Sequence, residues 1–346
     1  MRTLAEVSRT RSGPGLSRLA RAVGTLALLA LTSLAALPAF GQGAQAQKHK
    51  QADNTPVSPE AWQQRGKTFQ FEDQAIFYVD EGDGTPVVLL HGYPTSSWDF
   101  NKIWSGLLPG HRLIAPDFLG YGFSAKPKSY PYSVAKHADM IEALVKSAQV
   151  DDVQLVAHDI GVAVLEELVA RDQESTLPFK IKSVVLLNGT LFASEYQPRP
   201  IQRLLASPIG GLVNKLASEK TLSANLRQIS GATPGLSDDE LAAHWALLNY
   251  PGDARVTHRL THTTRDRATN DERWTKAFCA ATIPLRLVIG PEDPTSGVRL
   301  SESLTQRCGA GRTFSEAIVD GAGHFPHVEK PEQTLASILN WSEGGY

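Results

Sequence analysis

The sequence predicts an α/β fold: a mostly parallel, twisted sheet flanked by helices, with a helical cap inserted between two halves of the core. Three observations predict it. Segments that read as strands at 85–90, 112–115, 153–157, 285–289 and 314–319 recur along the chain, and each leads to a turn or loop. One of them, Val153 to Ala157, reverses at once into a helical run over 162–171. Between the two groups of strands, 193–276 is rich in helix formers broken by Pro198, Pro200, Gly210-Gly211 and Pro251-Gly252. With 346 residues, 42% hydrophobic and 20% charged, the chain can build one large core plus that insertion. No internal repeat is visible.

In chain order, Arg2, Arg9, Arg11, Arg18 and Arg21 precede an apolar run from Val23 to Leu37, followed by Pro38-Ala39-Phe40-Gly41 and Ala44-Gln45-Ala46. This is the pattern of a secretory signal peptide over 1–46. The run of 15 residues is shorter than the ~20 that span a bilayer, so no stable membrane span is expected, with an uncleaved membrane anchor as the second reading. Export to the periplasm or the medium follows from the first reading. Loss of five Arg and Glu6 with 1–46 takes the net charge from −2 to −6, and a mildly acidic chain offers no nucleic-acid surface. Residues 47–66 are polar, include Pro56 and Pro59, and read as a loose leader. The core is expected over 67–192 and 277–346, and the cap over 193–276.

The apolar run Thr85 to Leu90 leads into His91-Gly92-Tyr93-Pro94-Thr95-Ser96-Ser97-Trp98, and Arg112 to Ala115 leads to Asp117-Phe118-Leu119-Gly120-Tyr121-Gly122-Phe123-Ser124. Leu285 to Ile289 ends in Gly290-Pro291-Glu292-Asp293-Pro294, and the run Phe314 to Val319 ends in Gly321-Ala322-Gly323-His324-Phe325-Pro326. Parallel sheets build their sites from such loops at the C-terminal strand ends.

The turn Ala157-His158-Asp159-Ile160-Gly161 carries the chemistry. Ala157 and Gly161 leave room for a sharp strand-to-helix reversal that thrusts the central side chain above the strand ends. A carboxylate there attacks saturated carbon bearing a leaving group and forms an alkyl ester; attack on an ester would give an unstable anhydride. Asp159 therefore points to epoxides or alkyl halides. Taken alone, the same string equally suits an aspartate capping a helix.

With these loops in this order, the chain resembles an α/β-hydrolase of the aspartate-nucleophile branch, which includes epoxide hydrolases and haloalkane dehalogenases. The resemblance runs from about Lys67 to the C-terminus and implies the α/β-hydrolase fold. Within that branch, His91-Gly-Tyr-Pro-Thr-Ser-Ser, Asp117-Phe-Leu-Gly-Tyr-Gly-Phe-Ser-Ala-Lys-Pro and Ile181-Lys-Ser-Val-Val-Leu-Leu-Asn-Gly are most similar to the mesoderm-specific transcript subgroup. Carried over position by position, the resemblance implies Asp159 as nucleophile, Asp293 as the acid and His324 as the base that activates water. His327 and Glu292 are the neighbouring decoys for the last two roles, and His158 is read as structural. The resemblance places the oxyanion donors on the backbone N–H groups of Tyr93 and Ile160.

Dehalogenases of this branch hold the halide with a tryptophan after the nucleophile, where this chain has Ile160, and some with an asparagine where it has Tyr93. Trp98 and Trp245 are the substitutes to consider. Epoxide opening needs a proton donor for a basic alkoxide, and the cap tyrosines Tyr196 and Tyr250 are candidates. Arg255, Arg259, Arg265, Arg267 and Arg273 also fall in the cap, read as a solvated helix face in preference to an anion site.

The expectation is a cofactor-free epoxide hydrolase acting on small, apolar to moderately polar organic molecules, with haloalkane dehalogenase and a non-catalytic binding protein on the same fold as alternatives. No metal is expected, because the histidines show no ligand spacing. Cys279 and Cys308 precede adjacent strands, which leaves a disulfide and two buried thiols equally open.

Overall fold

The computed structural model describes residues 56–231, 235–252 and 255–342. The expected signal peptide and the first part of the expected leader, 47–55, lie outside the described residues. The strands are β1 (Gly66–Phe71), β2 (Gln74–Gly82), β3 (Thr85–Leu90), β4 (His111–Pro116), β5 (Asp152–His158), β6 (Lys180–Leu187), β7 (Leu285–Ile289) and β8 (Ser315–Ile318). The helices are α1 (Pro59–Arg65), α2 (Asn101–Leu107), α3 (Val134–Ser147), α4 (Ile160–Gln173), α5 (Pro200–Leu205), α6 (Gly210–Leu216), α7 (Glu219–Arg227), α8 (Asp238–Asn249), α9 (Thr257–Leu260), α10 (Thr263–Ala280), α11 (Arg299–Cys308), α12 (Pro326–Glu329) and α13 (Pro331–Ser342).

The strands form one sheet in the order β1-β2-β4-β3-β5-β6-β7-β8. β2 pairs antiparallel with both β1 and β4, and the pairings from β4 through β8 are parallel. Alternation along the strands feeds two cores, one per face. Val88, Leu90, Leu155, Ala157, Val184 and Leu186 join the side carrying α3 and α4. Val87, Leu89, Val156, Val185 and Leu187 join Trp62, Trp104 and Ile338 on the other. Strands buried on both faces read as continuous apolar runs, which is why these were visible in the sequence.

Two expected boundaries move. The leader does not stay loose up to residue 66: Ser58 caps α1, Pro59 opens it, and Trp62 is fully buried. The Trp62 indole donates to Ser97 Oγ at 3.0 Å and meets Trp104 edge-on at 4.9 Å. At the other end, the expected cap border at 276/277 falls inside the single helix α10. Trp274, Ala277 and Phe278 of α10 belong to the main core, and the Trp274 indole donates to Glu167 of α4 at 2.7 Å. α10 thus runs across the expected border, and Arg267, Arg273 and Trp274 tie it to α4.

Cys279, near the end of α10, and Cys308, at the end of α11, form a disulfide with a Cα–Cα distance of 4.9 Å. It joins the helices that precede β7 and β8, which pair side by side. Among the described residues no helix is long and apolar enough to cross a membrane.

Candidate active site

β5 and α4 meet at Asp159 with no intervening loop. Its backbone is forced to φ 47° and ψ −107°, a conformation that a non-glycine residue adopts only when its surroundings impose it. The turn is closely packed at the glycines on either side of it. A Cβ on Gly161 would stand 2.4 Å from the Leu90 carbonyl oxygen, and one on Gly92 would stand 2.6 Å from His158 Nδ1. Asp159 occupies the N-cap position of α4, yet its carboxylate makes no capping hydrogen bond. It accepts instead from the Tyr93 backbone N–H, at 2.8 Å to Oδ2. Ile160, the second expected donor, is the first residue of α4, where backbone N–H groups have no acceptor within the helix.

Asp293 and His324 arrive from the loops after β7 and β8. His324 Nδ1 lies 2.9 Å from Asp293 Oδ2, and His324 Nε2 lies 3.9 Å from Asp159 Oδ1. Since Asp293 oxygens only accept, Nδ1 carries the proton and Nε2 faces Asp159. Asp293 also accepts from the Thr295 N–H at 2.7 Å and the Thr295 hydroxyl at 2.6 Å, both on Oδ1, and from Ser296 Oγ at 2.5 Å on Oδ2. Burial pushes the Asp293 carboxyl upward, but His324 and these donors outweigh it and hold it well below the usual range. For His324, burial favours the neutral ring, while Asp293 and then Asp159 overcome burial and raise its pKa.

The loop carrying His324 is held by residues that sequence spacing did not reveal. Glu329, buried in α12, accepts from the N–H groups of Gly231 (2.6 Å), Gly323 (2.9 Å) and Phe325 (2.9 Å). Asn188, in the positive-φ turn after β6, donates to the Gly323 carbonyl at 2.7 Å and accepts from Gly290 N–H at 3.0 Å. His158 is fully buried and its Nε2–H donates to the His324 carbonyl at 2.9 Å, so it supports the loop from behind. His327 lies on α12, stacked on Phe100, and Glu292 is exposed where Asp293 is buried.

The histidine spacings gave no sign of a ligand set, but the fold gathers Asp99, His158 and His327 with one donor atom each inside 4.8 Å. None of the three lines the space over Asp159.

That space is small, about 20 Å³, and is walled by Tyr93, Asp159, Ile160, Tyr196, Gln202 and Arg267 among others. Tyr196 is therefore at the site and Tyr250 is not: the Tyr250 hydroxyl accepts from Gln63 Nε2 at 3.0 Å and its ring packs on Phe123. Burial, and then the Asp159 charge, raise the Tyr196 phenol, so it stays protonated. Tyr93, expected to act through its backbone alone, also brings a buried hydroxyl that bonds to nothing among the described residues. Arg267 departs from the solvated face expected for the cap arginines. It is 3% exposed, donates to the carbonyls of Thr190 (2.5 Å) and Asp159 (3.3 Å), and lies over the Tyr196 ring at 5.4 Å. Neither tryptophan supplies a halide donor here. Trp98 gives its indole N–H to the Val57 carbonyl at 2.8 Å, and Trp245 lies under Arg255 along a separate, larger cavity.

An acid, a histidine and a carboxylate on a strained strand-to-helix turn, set on loops at the C-terminal ends of a mostly parallel eight-stranded sheet, define an α/β-hydrolase. The profile of the Alpha/beta hydrolase family matches residues 87–337, and the chain belongs to that family. It is 33% identical over 289 residues to "Putative hydrolase LipZ" of Mycobacterium tuberculosis, covering 83% of this chain and 98% of the relative. It is 34% identical over 291 residues to "Mesoderm-specific transcript homolog protein" of Homo sapiens, covering 81% and 87%. A "Haloalkane dehalogenase" of Mesorhizobium japonicum is 30% identical over 296 residues, covering 83% and 94%. The solved structure of the epoxide hydrolase CorEH superposes with a TM-score of 0.64 over 81% of this chain and 98% of that one, at 20% identity, which is a likeness of fold.

Proposed function

We propose that this hydrolase works without a cofactor through an ester on Asp159 and that its substrates are epoxides. The observation that carries the reading is Asp159 itself: a carboxylate on a strained turn, without the helix-capping bond that would explain it, facing a histidine oriented by a second aspartate. Asp159 Oδ1 attacks an epoxide carbon while the C–O bond breaks and its electron pair passes to the epoxide oxygen, which takes the Tyr196 proton. Oδ2, already facing the Tyr93 N–H, becomes the ester carbonyl oxygen.

Water then adds to that carbonyl carbon as His324 Nε2 removes its proton, and negative charge builds on Oδ2. Collapse breaks the acyl C–O bond and releases the diol. Ester hydrolysis yields one proton, which restores Tyr196, so the net reaction is epoxide plus water to diol. Esterification removes the Asp159 charge that helps to raise the His324 pKa. Its loss lowers the His324 pKa, so more of the ring is neutral and free to take a proton from water in the ester than in the free enzyme.

An oxygen leaving group is favoured over halide because the pocket over Asp159 offers a buried, protonated phenol, while Ile160 is apolar and the Trp98 indole is committed elsewhere. The similarity to a named dehalogenase supports the alternative reading. Turnover of epoxides and bromoalkanes of equal length decides between them: faster epoxide hydrolysis, abolished in Asp159→Ala, is expected, and faster debromination would favour dehalogenation.

Residues 1–46 complete the proposal as an export signal, supported by the Cys279–Cys308 disulfide, a bond typical of oxidising compartments.

A further inference from the structure

Two spaces of very different size share part of their walls beside the site. Tyr93 and Gln202 line both. On one side is the pocket of about 20 Å³ holding Asp159, Tyr196 and Arg267; on the other is a cavity of about 360 Å³ under the cap helices. The larger cavity is walled by Leu205, Leu222, Leu226, Trp245 and Leu248. Most of its polar residues are engaged with the protein: Arg199 donates to the Asn225 carbonyl at 3.1 Å, Asn214 to the Arg255 carbonyl at 3.0 Å, and Asn225 to the Thr221 carbonyl at 2.7 Å. Among the described residues that line it, the Tyr93 and Thr257 hydroxyls are the unpartnered ones, and the rest of the wall is mostly carbon. Its rim reaches the surface at Leu204 and Leu216, which are 42% and 72% exposed.

We propose that the substrate is a straight alkyl chain that reacts at its end, a 1,2-epoxyalkane, and that internal epoxides are excluded. The inference rests on the epoxide reading above. A cavity of about 150 Å³ holds benzene, so the 360 Å³ space takes a chain of roughly a dozen carbons. Beyond Asp159 the small pocket has room for about one water, enough for the epoxide oxygen beside Tyr196 and not for a second alkyl arm. A terminal epoxide puts its single arm in the large cavity and its CH₂ at Asp159 Oδ1. An internal epoxide carries two arms and has space for one.

The test compares 1,2-epoxydecane with cis-5,6-epoxydecane on the wild-type protein, alongside a series from 1,2-epoxybutane to 1,2-epoxydecane. The terminal isomer is expected to have a kcat/KM at least ~100-fold higher. Along the series kcat/KM is expected to rise about two- to fourfold per methylene, as apolar burial requires. Val213→Trp, which fills the cavity from α6, is expected to lower the decane-to-butane ratio at least ~10-fold. Equal turnover of the two isomers, or a flat length series, overturns the inference and leaves the epoxide reading standing. Failure to hydrolyse any epoxide, with bromoalkanes turned over, overturns both.

Discussion

Glu329→Ala removes one carboxylate and leaves three buried backbone donors, on Gly231, Gly323 and Phe325, without their acceptor. Each such bond contributes about 1 kcal/mol net, and each abandoned donor adds desolvation cost, so the substitution is expected to destabilise the protein by roughly 3 kcal/mol or more. Glu329→Gln keeps one oxygen but turns an amide NH₂ toward one of the N–H groups, and should cost about 1–3 kcal/mol. Because two of the three donors flank His324, kcat should fall with KM little changed, since displacement of about 1 Å at a reacting group costs about 10²-fold. Urea unfolding followed by tryptophan fluorescence reads the first effect, and steady-state kinetics the second. A midpoint within 0.2 M of wild type for Glu329→Ala, at a typical slope of about 3 kcal/mol/M, would refute the reasoning.

Asp293→Asn removes the charge that most raises the His324 pKa, so burial acts with less opposition and the ring deprotonates at lower pH. The ascending limb of kcat against pH should move down by about one unit or more, with a plateau at least ~10² lower because tautomer control is lost; an unmoved limb would remove Asp293 from the account. Tyr196→Phe should lower kcat/KM for epoxides about 10²-fold while sparing bromoalkanes, whose leaving group needs no proton. Equal losses on both substrates would assign Tyr196 to substrate binding.

The strands and loops that carry Asp159 and Asp293 were legible because each is a contiguous string: an apolar run buried on both faces, then a turn whose small residues are dictated by sterics; β8, ahead of His324, has no fully buried residue. The two antiparallel strands that begin the sheet were less so, since β1 and β2 carry only partial burial. What the sequence hid was assembled from distant segments. Glu329 collects donors from Gly231, Gly323 and Phe325, and Asn188 bridges the ends of β6, β7 and β8. Arg267 reads as one of several arginines until α10 docks on α4 and turns it toward the nucleophile. Tyr250 and Tyr196 look alike in sequence; only the path of the cap sends one to Gln63 and the other to Asp159. The reading of 47–66 as a loose leader passed over Ser58-Pro59, a cap followed by a first-turn proline, because a single tryptophan within a polar stretch gives no helical periodicity.

The central claim is a covalent ester on Asp159, and its most direct measurement is the intact mass of His324→Gln after incubation with 1,2-epoxydecane. That variant keeps the nucleophile and loses the base, so the first step proceeds and hydrolysis stalls. The account predicts a mass gain of one substrate molecule, mapped by peptide sequencing to Asp159 and absent from the Asp159→Ala, His324→Gln double variant. An unmodified chain under conditions where the wild type turns over, or an adduct that persists in the double variant, would contradict it.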